Sequence, residues 1–529
     1  MAERLMGVET EYALSVQSPE IGSLDQGEFI NRLSETARRK LVHLPGVAGG
    51  IYLENGSRFY VDYGNHPELC TPECSNPTDV VRYILAGERI LASIAREVER
   101  QWPYVNVMLF KSNVDYGGAW TTWGCHESYS HAAQPGALSD EIIPHLVTRI
   151  IYTGAGGFNS TSRGLEFTLS PRVSHLANVV SNNSTSDRGI FHTKDESLSR
   201  PGLHRLHIIC GESLCSETAM WLKAATTALV VAMAEAGLRP GLGVGLRSPL
   251  EAMRKIAGDP TCSASVDMLG GRRLSAIEIQ DHYLSMAERY LGHSSMPAWA
   301  PEACKRWRAM LNRLLDAPGS VETSLDWAIK LAVYRNHVES RGVSWDSLAR
   351  WTPILTELQQ SLEYSDQYAH PLTAEFVLCE SNPFGDAVAR LTPFLKEAGL
   401  AWDSLDAVIA VKKELFEIDT RFGQLCGGGL FARLDEAGVL THHIAEVDNV
   451  ETATTHPPES GRARVRGNAV KQFAGRRGNY QCDWQGVFDM TTKRMIDLSE
   501  PFESAERWIR IDEARGTLAL PFFDTYSRI

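Results

Sequence analysis

Residues 4–16 read RLMGVETEYALSV, and their apolar and polar positions alternate with the period of two that a half-buried strand requires. Val8, Thr10 and Tyr12 fall on one face, Glu9 and Glu11 on the other. A helix is predicted over 26–43. The segment GIYLENGSRFYVDYG, 50–64, has two extended arms around Asn55-Gly56, a dipeptide suited to a hairpin turn. Its second arm presents Arg58, Tyr60 and Asp62 on one face. A helix over 77–101 and a strand over 104–111 follow. HRLHIICGES then reads as a strand with Arg205 and His207 on the same side, and the largely apolar SETAMWLKAATTALVVAMAEAG as a buried helix.

Helices dominate the pattern from 274 to about 425. WDSL occurs twice, at Trp345–Leu348 and Trp402–Leu405, and reads as a duplicated helix start with Asp and Ser as caps, or as coincidence. Trp402, Leu405 and Val408 share a helix face, so this region is expected to pack into the helical layer rather than serve a partner. GGG at 427–429 marks a break. Beyond it, Arg462, Arg464 and Arg466 alternate in GRARVRG; they read either as a solvated strand edge or as contacts for phosphates or an acidic partner. The expected domains are 1–447 and a small C-terminal domain at 448–529.

The 529 residues carry 52 Lys and Arg against 65 Asp and Glu, a formal charge of −13. That balance disfavours generic nucleic-acid binding, which draws its affinity from phosphate neutralisation. No run of about 18 apolar residues could span a membrane, and Glu9 and Glu11 interrupt what a signal peptide would need. A cytoplasmic location is therefore expected. The ten cysteines lack a doubled CxxC and read as free thiols in a reducing compartment.

Two Glu on one strand face are either solvated or held by a compensating cation. R-x-Y-x-D-x-G-x-H-P-E, from Arg58 to Glu68, crowds more kinds of polar chemistry into eleven positions than a solvated edge needs. Carboxylates with few imidazoles favour Mg or Mn over zinc. His126, next to Glu127, and the Arg205-x-His207 pair are further candidates. There is no phosphate-binding G-x-x-x-x-G-K-[ST] loop and no G-x-S-x-G, and His126-Glu127 lacks the second His of a zincin. If ATP binds, it binds on a sheet lined with carboxylates.

MGVETEYA, NGSRFYVDYGNHPELCTPEC, KSNVDYGGAWTTWGCHESY, LHRLHIICGESLCSET and PPESGRARVRG, in this order, resemble the Pup ligase and depupylase family, relatives of glutamine synthetase and the carboxylate-amine ligases. The resemblance covers nearly the whole chain apart from a helical insertion at about 350–405, and it implies an α+β fold: a glutamine synthetase-like curved antiparallel sheet cradling ATP, packed on helices, with the C-terminal domain closing part of the nucleotide site. It implies Glu9, Tyr60 and Glu68 as Mg2+ ligands, Arg58, Thr71 and Trp484 as ATP contacts and Asp62 as the catalytic aspartate. Glu11, His126 and His207 are further metal or phosphate contacts, and Arg205 suits a phosphate or substrate carboxylate.

Ligases of this family have D-x-G-x-H-P-E, as here from Asp62 to Glu68, where depupylases are typically one residue shorter and carry a long loop after the first strand. The resemblance thus implies an ATP-dependent ligase that joins the C-terminal Glu side chain of a small acidic Pup-like modifier to target lysines. A depupylase, a small-molecule γ-glutamyl amide ligase and a nucleotide-gated binding module are the other readings. The family's N-T-R-D-E-P-H stretch is replaced by HTKDESL at 192–198, with Lys194 in place of Arg.

Overall fold

The computed structural model describes residues 4–17, 26–62, 64–162, 164–181, 187–192, 202–363, 373–379, 385–425, 428–476 and 479–514. The HTKDESL departure after His192 lies outside the described residues.

The alternation read from the first segment becomes strand β1 (Met6–Glu11), with Val8 and Thr10 buried and Glu9 and Glu11 on the opposite face. The predicted single strand breaks at Tyr12, whose N–H donates to Pro67 O. The continuation β2 (Ala13–Gln17) leaves to pair with β7 (Asn106–Phe110) in a separate two-stranded sheet. Its partner lies some ninety residues away, so period two alone could not mark the break.

Strands β3 (His43–Pro45), β4 (Ile51–Leu53), β5 (Arg58–Val61), β6 (Pro67–Cys70) and β8 (Cys125–His131) join β1 in the main sheet. β9 (Gly157–Phe158) and β10 (Phe167–Thr168) form their own small pair. Then β11 (Val180–Ser181), β12 (Phe191–His192) and β13 (His204–Ile208) complete a nine-stranded sheet in the order β11-β12-β13-β8-β1-β6-β5-β4-β3. Every pairing is antiparallel except β11 with β12. The fold is α+β, as expected.

The back of the sheet is apolar. Val8, Tyr129, Leu206 and Ile208 join one core with the helices Pro77–Gln101 and Glu217–Glu235. The first of these has the boundaries predicted; its Asn76 cap accepts from Asp79 N–H, and Pro77 opens the first turn. The helix predicted over 26–43 spans Gln26–Lys40. Glu127 also points backwards, into a buried two-pronged pair with Arg149 at 2.6 and 2.9 Å. Among the described residues no helix is long and apolar enough to cross a membrane.

Asn55 and Gly56 form the predicted turn between β4 and β5, with Gly56 at φ 83°. Arg466 donates to Gly56 O at 3.0 Å, pinning the turn to the C-terminal part of the chain. That segment is not the strand edge read from alternating arginines. It is the helix Gly461–Phe473, and the four-residue spacing of Arg462 and Arg466 puts both, fully buried, on Glu73. Neither is exposed to solvent; Arg464, about half a turn away, donates to Glu459 O. Strands Tyr480–Cys482, Gly486–Asp489, Arg494–Asp497 and Trp508–Arg510 form a four-stranded antiparallel sheet beside this helix.

The WDSL repeats are not equivalent. Trp345 opens the helix Trp345–Glu363, capped by Ser344, whose Oγ accepts from Ser347 N–H, whereas Trp402–Ser404 is a 3-10 turn before the helix Leu405–Phe422. Packing is as expected: Trp351, Leu355, Leu395, Leu405 and Val408 share a core with Tyr334.

Candidate active site

Antiparallel register puts directly opposed residues on one face, and on the open face it lines up the sequence candidates in rows. Arg58, Cys70, Glu9 and His126 stand in one row across β5, β6, β1 and β8. Tyr60, Glu68 and Glu11 stand in the next. Ser128 opposes His207 on the other side of Glu9, and Ser130 opposes Arg205. All the proposed metal, phosphate and carboxylate residues of the sheet therefore share one face, which forms a wall of a cleft of about 830 Å3.

Glu9 sits at the junction. Its Oε2 is 3.4 Å from His126 Nδ1, and its Oε1 accepts from Arg205 at 3.3 Å. Burial opposes its ionisation, but the His126 hydrogen bond and the charge of Arg205 hold its carboxyl below the usual range. Arg205 also donates to Ser128 Oγ at 2.9 Å and to His207 Nδ1 at 2.8 Å. Burial, then the charge of Arg205, pushes the His207 pKa well down, so the ring is neutral. A guanidinium only donates; Nδ1 is thus an acceptor and the proton of His207 resides on Nε2.

Asp62 lies just past β5 and accepts from His66 N–H at 2.7 Å. His66 Nδ1 is 3.3 Å from Asp62 Oδ2 and 3.4 Å from Glu11 Oε2, bridging the two carboxylates. Burial resists charge on His66, but the close carboxylates of Asp62 and Glu11 raise it to about 9. Burial likewise opposes ionisation of Glu11, yet the close contact with His66 and the charge of Arg172 bring it down to about 2; Gly124 N–H also donates to it at 2.8 Å. Glu68 goes the other way: burial, then the charges of Glu9 and Glu11, push its carboxyl well up. Asp62 lines the main cleft and also a second groove of about 530 Å3 against the helix Gln26–Lys40.

Thr71 and Trp484 stand at the other end of the sheet face. With Gly7, Glu73 and Arg205 they line a cavity of about 40 Å3. Thr71 Oγ1 accepts from Val8 N–H at 3.0 Å. Trp484 meets Tyr52 edge-on at 5.4 Å between centroids and carries the Arg466 guanidinium 4.7 Å from its ring. Arg58 stacks over Tyr60 at 4.3 Å. Its Nε has no hydrogen-bond partner among the described residues.

Ligand atoms of Glu9, His126 and His207 lie within 4.8 Å of one another, as do those of Glu9, Glu68 and Cys70 and those of Glu11, Asp62 and His66. Burial pushes the Cys70 thiol well up, so it stays a neutral, soft group beside hard carboxylates. The structure adds residues that the motifs did not single out. Gly124 is one: a Cβ there would lie 2.4 Å from His126 Nε2. Arg172 and Thr122 are others on the cleft wall. Arg172 comes from SPRVSH, where no motif marks it; only the fold brings it in.

A largely antiparallel sheet whose open face gathers carboxylates, imidazoles and guanidiniums around a cleft is of the class of sites suited to a charged ligand held on strands instead of a glycine loop. The chain belongs to the Pup ligase family: the family model described as Pup-ligase protein matches residues 4–368 and 391–488. The unmatched segment, 369–390, is narrower than the insertion expected at 350–405. Proteins of Sanguibacter keddieii and Mycolicibacterium smegmatis named Pup--protein ligase are each 29% identical to this chain, over 519 and 525 residues, covering 96% of it and 98% and 99% of their own lengths. One of Kribbella flavida is 30% identical over 514 residues, covering 95% of this chain and 97% of its own. The crystal structure of the complex between the prokaryotic ubiquitin-like protein Pup and its ligase PafA has a TM-score of 0.70 at 24% identity, covering 95% of this chain and 90% of that one. PafA in complex with ADP gives 0.64 at 23% identity, covering 92% and 93%.

Proposed function

We propose that this chain is an ATP-dependent ligase joining the side-chain carboxylate of a C-terminal Glu on a small acidic Pup-like modifier to a target lysine, by way of a γ-glutamyl phosphate. The observation that carries this reading is the convergence of Arg58, Tyr60, Glu68, Glu9, His126 and His207 from five strands on one cleft that ends at Asp62. Family membership supports it.

The donor set fits a magnesium ion. Glu9, Glu68 and Tyr60 would hold it, with Glu11 and His126 beside them: hard oxygen donors crowded closely enough to repel each other without a cation. When bound, the ion would neutralise phosphate charge during transfer. His207, with its proton on Nε2, suits a phosphate or carboxylate oxygen better than a metal. Arg205 holds that tautomer and offers its own charge.

Thr71, Trp484 and Arg58 would bind the nucleotide, and residues 448–529 would form a small domain closing that end over a catalytic domain of 1–447. A lysine amine is protonated at neutral pH and must lose a proton to attack the activated acyl group. Asp62, aimed by His66, would take it. The groove beside the helix Gln26–Lys40 reaches the same carboxylate and offers the amine an approach separate from the nucleotide.

The test is to mix purified protein with Mg-ATP, a Glu-ended Pup-like modifier and a lysine-bearing acceptor, and to follow adduct and ADP. The expected outcome is one ADP released per adduct. Cleavage of preformed conjugate with no adduct formed would overturn the ligase direction in favour of a depupylase.

A further inference from the structure

Arg172 is a buried guanidinium that no carboxylate meets directly: Glu212 Oε1 accepts from its backbone N–H at 2.9 Å, and Glu11 feels its charge, but neither pairs with the side chain. It lies on the short turn Pro171–His175, only 3% exposed, and its Nη2 donates to Ile209 O at 3.1 Å. Its Nε has no hydrogen-bond partner, and it makes no ion pair among the described residues. A buried guanidinium in that state is costly unless an anion arrives to meet it. Its surroundings point the same way. Thr122 on the same cleft wall is buried with its Oγ1 also unpartnered, and Arg188 lines the cleft too, close enough that Arg172 disfavours its charged form.

Which anion follows from the position along β1. Thr71 and Trp484 line their cavity with Gly7, whereas Arg172 lines the cleft with Glu11 and Asp62 and acts electrostatically on Glu11. Gly7 and Glu11 are four residues apart, about 13 Å along a strand. Arg172 is therefore on the side of the cleft where the acyl group and the proton acceptor Asp62 would meet, away from Thr71 and Trp484.

We infer that Arg172, with Thr122 Oγ1, binds a carboxylate of the acyl substrate and so selects a dicarboxylate-bearing glutamyl end. The inference rests on the ligase reading for the identity of that substrate. A two-pronged guanidinium matches a carboxylate, and the empty Nε supplies one of the prongs.

The test uses the full chain and does not depend on conjugation. Glutarate, with two carboxylates at glutamyl spacing, and ADP are titrated separately while thermal stability and affinity are read. Glutarate should stabilise the unsubstituted protein. Arg172→Gln should weaken glutarate binding on the order of tenfold and leave ADP affinity within about twofold; Thr122→Val should have a smaller effect of the same kind, and Arg172→Lys should recover part of the loss. In the conjugation assay the same variants should raise KM for the Glu-ended modifier and not for ATP. Unchanged glutarate binding in Arg172→Gln would overturn the inference, and so would a loss confined to ADP, which would make Arg172 a phosphate contact. If Arg172→Gln does not fold, Arg172→Lys and Thr122→Val decide by the same readouts. Absence of any adduct from the unsubstituted protein would count against the ligase reading alone.

Discussion

Arg462 Nε donates to Glu73 Oε1 at 2.6 Å, joining residues 389 positions apart in a site closed to solvent. Arg466 binds the same carboxylate, and Glu73 lines the cavity shared by Thr71 and Trp484. One carboxylate thus ties the C-terminal helix to the strand face proposed to hold the nucleotide.

Removing it strands two buried guanidiniums. Glu73→Gln should cost about 3–5 kcal/mol of stability, the usual penalty for breaking a buried pair from one side. Burial opposes ionisation of Glu73, but Arg466 and Arg462 bring it down to about 2 from an ordinary 4.5. A lowered carboxyl stabilises the fold fully above the ordinary value and loses that contribution as pH falls toward the folded one. Acid unfolding curves of the two proteins, followed by tryptophan fluorescence, should therefore differ above pH 4.5 and converge between about 4.5 and 2. A constant gap across that window would refute the linkage.

Asp62→Asn keeps the shape of the side chain and removes the proton acceptor. Adduct formation should fall by about 10²–10⁴-fold, with ADP affinity within about twofold. Steady-state kinetics beside calorimetric nucleotide binding checks both; a variant with full turnover would remove Asp62 from the chemistry.

Chelation of divalent cations should abolish adduct formation, and Mg2+ should restore it. Glu68→Gln should raise the Mg2+ concentration for half-maximal rate on the order of tenfold. If the Mg2+ titration of this variant superimposes on that of the unsubstituted protein, Glu68 is not a ligand.

Gly124 offers a subtler test. The atoms nearest a methyl group there all belong to the movable His126 ring, with Nε2 at 2.4 Å, so Gly124→Ala should fold and push the imidazole off its position. Thermal stability should stay within about 1 kcal/mol of the original, while kcat falls at least tenfold, on the order of the loss from misplacing one site group. An unchanged kcat would mean that the His126 position is not critical.

The sequence carried the strand faces. Alternation alone put Glu9 and Glu11 opposite Val8 and Thr10, and grouped Arg58, Tyr60 and Asp62, because side chains on a strand have a fixed period that no partner can change. Asn55-Gly56 marked its turn for an equally local reason. The same local logic misread GRARVRG, since spacings of two and four coexist in Arg462, Arg464 and Arg466, and only the packing of the segment against Glu73 selects the helix.

What tertiary structure alone decided is adjacency. Register, not spacing, opposes Glu11 to Glu68 and Glu68 to Tyr60, and it sends Glu127 to the back of the sheet to meet Arg149 while its neighbour His126 faces Glu9. Arg172 had no motif to announce it. The role inferred for it rests on burial on a cleft wall with no ion pair among the described residues, and the cost of such a charge depends on everything around it, a property that no local segment of chain possesses.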